Sequence, residues 1–332
     1  MRTWTLAALA MLGAAPSSAN DTTAALKTGG LQFMKSWDIS MEEEKLFISP
    51  TEIRVDYIYR NTGQKPVTSY VAFPMPEIGG SPYDISAGGD PAKDNFLDFS
   101  VTQDGAALKP ELQQRAYSGA IDMTDVIVSA GIPLNPRNDH VQTLLKALPA
   151  ATLDDWTARG LIQREEFDSG SGPEIGYEAL WTLKSVYYWQ TTFPVGKDIH
   201  VAHRYIPSVG GTVAVTYLED GEPSGATYDD YRKRYCLDDA FVRTTQKLLK
   251  QATESRYYYE NWISYILTTG NNWAGPIKSF TLTVDKGDPA NYVSFCGTNV
   301  RKTGPTTFEM KATDFSPERD LDILLLKPNT GP

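Results

Sequence analysis

The sequence is poor in the residues that form most metal and redox sites. Its 332 residues include three histidines and two cysteines. His200 and His203 are three positions apart in a predicted strand, so they point to opposite faces of a sheet and cannot share a metal ion. The cysteines are far apart in sequence, which excludes a CxxC redox motif. We therefore predict no metal site and no cofactor, with His203 hydrogen-bonded on a mostly apolar face and His200 exposed.

The motifs of the common catalytic families are also missing. The chain contains no G-x-S-x-G elbow, no Ser-x-x-Lys, no phosphate-binding G-x-x-x-x-G-K and no His-Glu-x-x-His. Paired carboxylates are the remaining candidates for chemistry, since two of them can flank a sugar bond. The adjacent acidic pairs are Asp154–Asp155, Glu165–Glu166, Asp229–Asp230 and Asp238–Asp239. Each pair fits a helix start or a solvated face, which favours a non-catalytic interpretation.

An excess of positive charge is missing as well. Lysine and arginine total 31 against 41 acidic residues, a formal net charge of -10. Phosphate backbones and anionic lipid repel an acidic protein, so nucleic acid and membrane surfaces are excluded as expected partners. After the first segment, no apolar run approaches the roughly 20 residues of a membrane span. We predict no membrane insertion of the mature chain.

The first nineteen residues have the three parts of a secretory signal. Arg2 gives a basic start, residues 6–15 are apolar, and Ser17-x-Ala19 is a small-residue cleavage site. We predict cleavage after Ala19, a mature chain that begins at Asn20, and a periplasmic location. In an oxidising compartment, an even pair such as Cys236 and Cys296 predicts one disulfide, and the alternative is two buried free thiols.

The clearest structural pattern lies between residues 52 and 76. Apolar side chains alternate with polar ones at Ile53, Val55, Tyr57 and Tyr59. After a polar turn the alternation resumes at residues 67–73, and Pro74 and Pro76 end it because proline has no N–H for a ladder. This pattern predicts a β-hairpin with one buried face. The preceding acidic run, Glu42–Glu44, is predicted to be a solvated turn.

The rest of the chain alternates between strand and helix patterns. Apolar residues recur at helical spacing within residues 109–168, and strand alternation returns at residues 177–219 and 256–328. We predict a mainly β (α+β) fold: an antiparallel β-sandwich domain at 20–222 with a helical insertion at about 109–168. A helix and a second, smaller β unit at 223–332 would follow.

Aromatic residues are plentiful and offer a candidate binding surface. Rings stack on sugars and peptides, and three consecutive rings on a strand cannot all face inward. The candidate surface consists of Tyr257, Tyr258, Tyr259, Trp262 and Trp273. The alternative is that most of these rings fill the cores of the two β units.

Four separated phrases resemble a known family. They are NDTTAALKTGGLQFMKSWDISMEEEKLFIS, VAFPMP, YYWQTTFPVGKDIHVAHRYIPSVGG and TTGNNWAGPIKSFTLTVDKG. In this order they resemble the bacterial exported family known as domain of unknown function 4424, over nearly the whole mature chain. The resemblance implies an exported protein of Gram-negative bacteria and no particular activity. We expect structural roles for the motif residues Phe73, Pro74, Pro76, His203, Arg204, Tyr205, Pro207, Gly210 and Gly211.

These observations favour a soluble exported protein that binds a partner without catalysis. The expected partner is a protein or a glycan. One alternative is a secreted hydrolase that cleaves glycans through carboxylates, and another is a structural component of the envelope.

Overall fold

The computed structural model describes residues 21–27, 30–75, 77–80, 89–90, 93–168, 170, 172–253 and 256–329. The predicted signal segment, residues 1–19, and Pro76 lie outside the described residues. The strands in chain order are β1 (Thr22–Lys27), β2 (Gly30–Met34), β3 (Ile39–Ile48), β4 (Ile53–Asn61), β5 (Val67–Pro74), β6 (Ile78–Gly79), β7 (Ser100–Gln103), β8 (Ala106–Ala107), β9 (Glu111–Ser118), β10 (Ile121–Asp122), β11 (Ile162–Asp168), β12 (Pro173–Ala179), β13 (Thr182–Phe193), β14 (Asp198–Tyr205), β15 (Gly210–Gly211), β16 (Tyr257–Tyr265), β17 (Ile277–Asp285), β18 (Tyr292–Phe295), β19 (Arg301–Lys302), β20 (Thr307–Phe315) and β21 (Leu321–Asn329). The helices are α1 (Thr124–Ser129), α2 (Val141–Lys146), α3 (Ala150–Ala158), α4 (Gly225–Arg234), α5 (Asp239–Lys250) and a short 3-10 helix (Thr268–Asn272).

The described strands form three main sheets and one separate ribbon. The long sheet has the order β19-β20-β17-β3-β4-β14-β7-β8. The upper sheet has the order β10-β9-β13-β5-β1-β2, with β6 beside β13, and the C-terminal sheet has the order β15-β16-β21-β18. β11 and β12 make the ribbon. Described neighbours are antiparallel except β3 and β17, which confirms the predicted mainly β, sandwich-type fold.

One face of the long sheet is covered by both of the other large sheets. Tyr57 in β4 of the long sheet meets Tyr265 in β16 of the C-terminal sheet, with hydroxyl oxygens 3.1 Å apart. His203 in β14 meets Phe73 in β5 of the upper sheet, with ring centroids 5.3 Å apart. The three sheets therefore share one continuous hydrophobic core. Of the strands in the second β unit predicted from the sequence, β17, β19 and β20 extend the long sheet, whereas β16, β18 and β21 belong to the C-terminal sheet that packs on it.

The strands predicted at residues 52–76 exist, but the hairpin prediction is wrong. β4 pairs with β3 and β14 in the long sheet, whereas β5 pairs with β13 and β1 in the upper sheet. The turn between them therefore crosses from one sheet to the other. Buried Asn61 stabilises this crossing by donating to the carbonyl oxygens of Lys65 and Phe193, both at 2.8 Å. Alternation of apolar and polar residues predicts a strand with one buried face, but it does not predict which other strand pairs with it.

The acidic run Glu42–Glu44 is not a turn, so that prediction is also wrong. It lies inside β3, where the pairing with β4 shifts by one residue between Met41 and Glu43. Such a bulge reverses the phase of the alternation. As a result Met41 and Glu44 both face the core, and Glu44 lies opposite Tyr57 with no exposed surface.

The helical part of residues 109–168 is shorter than the sequence pattern suggested. Helices α1–α3 lie within residues 124–158, while residues 111–118 form β9 of the upper sheet. The helices have a core of their own, in which Trp156 of α3 meets the ring of Trp181 edge-on at 6.3 Å. The indole of Trp181 donates to the carbonyl oxygen of Leu134 at 2.8 Å, which anchors the loop between α1 and α2.

Helices α4 and α5 pack against the C-terminal sheet in a third cluster that includes Leu324 of β21. Asp238 caps α5 by accepting a hydrogen bond from the Phe241 N–H at 2.7 Å. Among the described residues, no helix has the length and apolar character that a membrane span requires.

Cys236 and Cys296 form a disulfide, as the sequence predicts. Cys236 follows α4 and Cys296 follows β18, and their α-carbons are 5.0 Å apart. The bridge ties the helical layer to the edge strand of the C-terminal sheet.

We predict that reducing this disulfide lowers the free energy of unfolding by roughly 4 kcal/mol, because the bridge restricts the unfolded chain across a separation of 60 residues. Urea unfolding with and without reductant measures the change. The double variant Cys236→Ser and Cys296→Ser should have the stability of the reduced protein and should not respond to reductant. An unfolding midpoint that reductant leaves unchanged in the wild type would contradict the prediction.

Candidate functional site

A group of polar side chains is buried where the three large sheets meet. We call this group the core polar cluster, and it consists of Asp21, Glu44, Tyr57, Tyr59, His203, Tyr205 and Tyr265. Asp21 and Glu44 have no exposed surface, and His203 is 2 % exposed. Burying acids and an imidazole is costly unless they are paired or neutral. The free-energy cost of burying this cluster must therefore be offset by neutral protonation states or by contacts inside the protein.

Asp21 is held by contacts from several elements. Tyr59 donates its hydroxyl to the Asp21 Oδ2 at 3.3 Å, and Trp273 donates its indole N–H to the Asp21 carbonyl oxygen at 3.4 Å. The His203 Nε2 lies 3.4 Å from the same Oδ2. Burial raises the pKa of Asp21 well above its usual value, against the lowering effect of the Tyr59 hydrogen bond. The start of β1 is thus anchored inside the core.

His203 is enclosed by aromatic rings. Its ring centroid is 5.2–5.6 Å from those of Tyr57, Phe73, Phe99 and Trp189. Burial lowers the pKa of His203 to about 3, so the imidazole is neutral at physiological pH. The predicted hydrogen bond is not formed: among the described residues, neither ring nitrogen has a partner with hydrogen-bond geometry. His200, by contrast, is exposed as expected.

Glu44 is the least satisfied member of the cluster. Within the described part of the chain, neither of its carboxylate oxygens has a hydrogen-bond partner. Burial raises the pKa of Glu44 to about 8. Another buried acid, Glu260, accepts hydrogen bonds from the Tyr231 hydroxyl at 2.8 Å and from the N–H and hydroxyl of Thr216. The contrast shows that this fold can satisfy a buried carboxylate but does not do so at Glu44.

The predicted motif residues converge on this region. Phe73, His203 and Tyr205 lie in contact, with Phe73 and Tyr205 ring centroids 5.1 Å apart. Pro74 ends β5, and Pro207 is buried just beyond β14.

The two glycines of the second motif form β15, opposite Trp262 and Asn261. A Cβ on Gly210 would stand 2.0 Å from the Trp262 Nε1, so only glycine fits at this close approach.

A surface cleft opens beside the end of β14. Its volume is about 310 Å³, and the lining residues are Thr51, Glu52, Asp98, Arg204, Tyr205 and Ile206. The Arg204 side chain is 71 % exposed and pairs with Glu52, which also pairs with Arg54 at 3.2 Å. Asp98 is exposed. Tyr205 belongs to both features, since it lines the cleft while its hydroxyl is buried in the core polar cluster.

The predicted aromatic surface is only partly accessible. Tyr257, Tyr258, Tyr259 and Trp262 lie in β16 and are half-buried. The prediction is wrong for Trp273, which is fully buried and packs on Tyr59 with ring centroids 4.3 Å apart. Trp273 directly follows the 3-10 helix, and at this position its side chain points into the core and not toward solvent. Tyr259 is covered by Lys327, whose Nζ lies 5.8 Å from the ring centroid.

The four acidic pairs give no support to carboxylate catalysis. All eight residues are exposed. Asp155 pairs with Arg159 one turn along α3, and Glu165 and Glu166 lie on the projecting ribbon. Within the described ranges, no three His, Cys, Asp or Glu side chains are placed to hold a metal ion.

Sequence reasoning missed Asp21, Glu44 and the cleft. A signal for Glu44 existed, because counting back in twos from Ile48 and Leu46 places Glu44 on the buried face. Asp21 and the cleft carried no such signal, since both are created by contacts between distant segments.

We predict that Glu44→Gln changes the pH dependence of the protein's stability. The usual pKa of 4.5 applies to the unfolded chain, and burial raises the folded value to about 8. Between pH 4.5 and about 8 the folded chain binds more protons than the unfolded chain. The contribution of Glu44 to the free energy of unfolding therefore falls by about 1.4 kcal/mol per pH unit as the pH rises. Urea unfolding across this window should show a slope that is less negative by this amount in Glu44→Gln.

Glu43→Gln is the matched control, because Glu43 is the neighbouring acid and pairs with Lys45 near the surface. Its pH curve should run parallel to that of the wild type. Parallel curves for wild type and Glu44→Gln would contradict the prediction.

Comparison with known proteins agrees with the resemblance noted in the sequence. The chain is similar to a "putative nutrient binding protein" from Legionella pneumophila subsp. pneumophila str. Philadelphia 1, with 17 % identity, a TM-score of 0.46, and coverage of 94 % of this chain and 71 % of that one. It is also similar to an M1 zinc metallopeptidase from Deinococcus radiodurans, with 7 % identity, a TM-score of 0.27, and coverage of 88 % of this chain and 43 % of that one. No curated protein matches the chain. The sequence pattern of the DUF4424 family, a domain of unknown function, matches residues 19–324, and the chain therefore belongs to this family.

Proposed function

We propose that this chain is an exported, periplasmic binding protein without catalytic activity, and that the cleft beside Arg204 is its ligand site. The exposed guanidinium of Arg204 at a concave surface carries the proposal. An arginine fork matches a carboxylate or phosphate with two parallel hydrogen bonds. Among the described residues Arg204 pairs with Glu52 through its Nε, which leaves its other N–H groups to donate to such a ligand. Export is supported by the signal pattern of residues 1–19.

The charges around the cleft favour a ligand with both signs of charge. Arg204 contributes one positive charge, and Asp98 contributes a carboxylate that makes no ion pair with any described residue. Glu52 is held between Arg54 and Arg204. A zwitterion of the size of an amino acid or short peptide would place its carboxylate at Arg204 and its ammonium at Asp98. A cleft of about 310 Å³ is at the small end of ligand sites.

The cleft offers less to a glycan. Tyr205 is the aromatic residue in its lining, and it is 3 % exposed, so it gives no ring face for stacking on a sugar. The half-buried rings of β16 lie in a different sheet. We therefore favour the peptide-like ligand over the glycan.

Catalysis is disfavoured for a separate reason. The acid and base that lie together, Asp21 and His203, are sealed in the core. A general acid or base must come within hydrogen-bond reach of its substrate, and neither side chain has a surface that a substrate could touch.

The test is calorimetric titration of the mature protein with a panel of free amino acids and dipeptides. We expect binding of at least one member, weakened about tenfold to a hundredfold by Arg204→Gln, which removes a charge-assisted contact. Arg54→Gln is the matched control, because Arg54 also pairs with Glu52 but does not line the cleft. It should change the affinity by less than about threefold.

The ammonium side of the site has its own test. Asp98→Asn should weaken binding of the free ligand and should leave unchanged the weaker binding of its N-acetylated form. Equal effects of Arg204→Gln and Arg54→Gln, or measurable turnover of a bound ligand, would overturn the proposed function.

A further inference from the structure

The ribbon formed by β11 and β12 has an open edge along β11. This strand pairs with β12 on one side, and no described residue pairs with it on the other. Beyond Ile162 every side chain of β11 is exposed, and its register with β12 runs without a bulge. An uncovered row of backbone N–H and C=O groups is a template for another strand, and natural proteins usually shorten, bulge or cover such an edge, or place charges on it. On β11 the protection consists of charge alone.

The hydrogen-bond pattern shows which backbone groups face the open edge. The Leu180 N–H donates to the Leu161 carbonyl oxygen at 2.8 Å, so these two residues occupy a hydrogen-bonded position of the ladder. Hydrogen-bonded and non-bonded positions alternate along an antiparallel pair. Counting from Leu161 in twos, the odd-numbered residues of β11 direct their N–H and C=O groups at β12. The even-numbered residues, with Arg164 and Glu166 among them, direct theirs to the open edge.

The ribbon carries an excess of negative charge. Its two strands contain five carboxylates and one guanidinium, that of Arg164, which lies 3.9 Å from the Glu166 carboxylate. Burial and then the negative charge of Glu165 raise the pKa of Glu178, against the lowering effect of Arg137. The five carboxylates belong to Glu165, Glu166, Asp168, Glu174 and Glu178. A segment that lies along β11 therefore gains most if it is positively charged.

An exposed aromatic ring lies on the same strand. Phe167 is 45 % exposed, although it packs over Gly176 and the Lys146 Nζ lies 6.0 Å from its ring centroid. A Cβ on Gly176 would stand 2.9 Å from the ring. A strand added beside β11 would remove more of this ring from water, and burial of apolar surface is favourable.

We propose that the open edge of β11 binds an extended segment of another protein, rich in lysine or arginine, by adding it to the ribbon as a third strand. The outward backbone groups of β11 provide the main-chain hydrogen bonds of such strand addition, and the carboxylates select the charge of the segment. A second copy of this chain fits poorly, because two acidic β11 strands side by side place like charges opposite each other. The proposal does not depend on the cleft beside Arg204, which lies in the long sheet.

The test uses a peptide of seven alternating lysine and threonine residues, blocked at both ends and fluorescently labelled. Fluorescence anisotropy should show binding to the protein with a dissociation constant below about 1 mM. N-methylation of two adjacent central residues removes an N–H from each edge of the peptide and keeps its charge, so it should weaken binding at least about tenfold. The same peptide with glutamate in place of lysine should not bind.

A pair of variants tests the edge from the side of the protein. Glu166→Pro removes an N–H that faces the open edge and leaves the ladder with β12 in place, since proline is tolerated at such edge positions. It should weaken binding of the lysine peptide at least about tenfold. Glu166→Gln is the matched control, because it removes the same charge and keeps the N–H. It should weaken binding by less than about fivefold.

Each alternative has its own outcome. Equal binding of the methylated and unmethylated lysine peptides to the wild-type protein would show attraction by charge alone and would overturn strand addition. No binding of the lysine peptide, or equal binding of the glutamate peptide, would overturn the basic partner. A dimer in sedimentation that Glu166→Pro dissociates would show that the edge takes a second copy, which also overturns the proposal. None of these outcomes affects the ligand cleft, which the titrations with Arg204→Gln test separately.

Discussion

The fold depends on covering one face of the long sheet. The upper sheet and the C-terminal sheet lie on that same face, and β4 at its centre contacts both. Every inward side chain of β4, from Ile53 to Tyr59, is therefore sealed from water. Burial of this face supplies the hydrophobic free energy that holds three sheets together. It also forces any polar residue on the face to find a partner inside the protein.

The core polar cluster is where that requirement is hardest to meet. The bulge in β3 turns Glu44 inward, and the anchored start of β1 brings Asp21 beside it. Glu260 in the C-terminal sheet shows what a fully supported buried acid looks like, with Thr216 and Tyr231 as donors. Polar residues that remain unpaired in a well-packed core generally mark a function or a missing partner.

The cluster and the surface cleft are neighbours through Tyr205 and Arg204 on β14. Adjacent residues of a strand point to opposite faces, so Tyr205 faces the core and Arg204 faces solvent. The conformation of β14 thus depends on packing in the core, and the position of the Arg204 guanidinium depends on β14. A ligand site next to a rigid interior is preorganised, which lowers the entropic cost of binding.

Sequence alone determined the local character of this protein. Alternation at Ile53–Tyr59 predicted β4, compartment and cysteine number predicted the Cys236–Cys296 bridge, and four separated phrases predicted the family. The tertiary structure decided what lies beside what: β4 and β5 pair with distant strands, Trp273 points inward, and Glu44 enters the core through a bulge. The candidate site was beyond sequence reasoning because Thr51, Asp98 and Arg204 are close only after folding. A periodic pattern records whether a side chain faces water or protein, and it holds no information about which distant segment provides the protein.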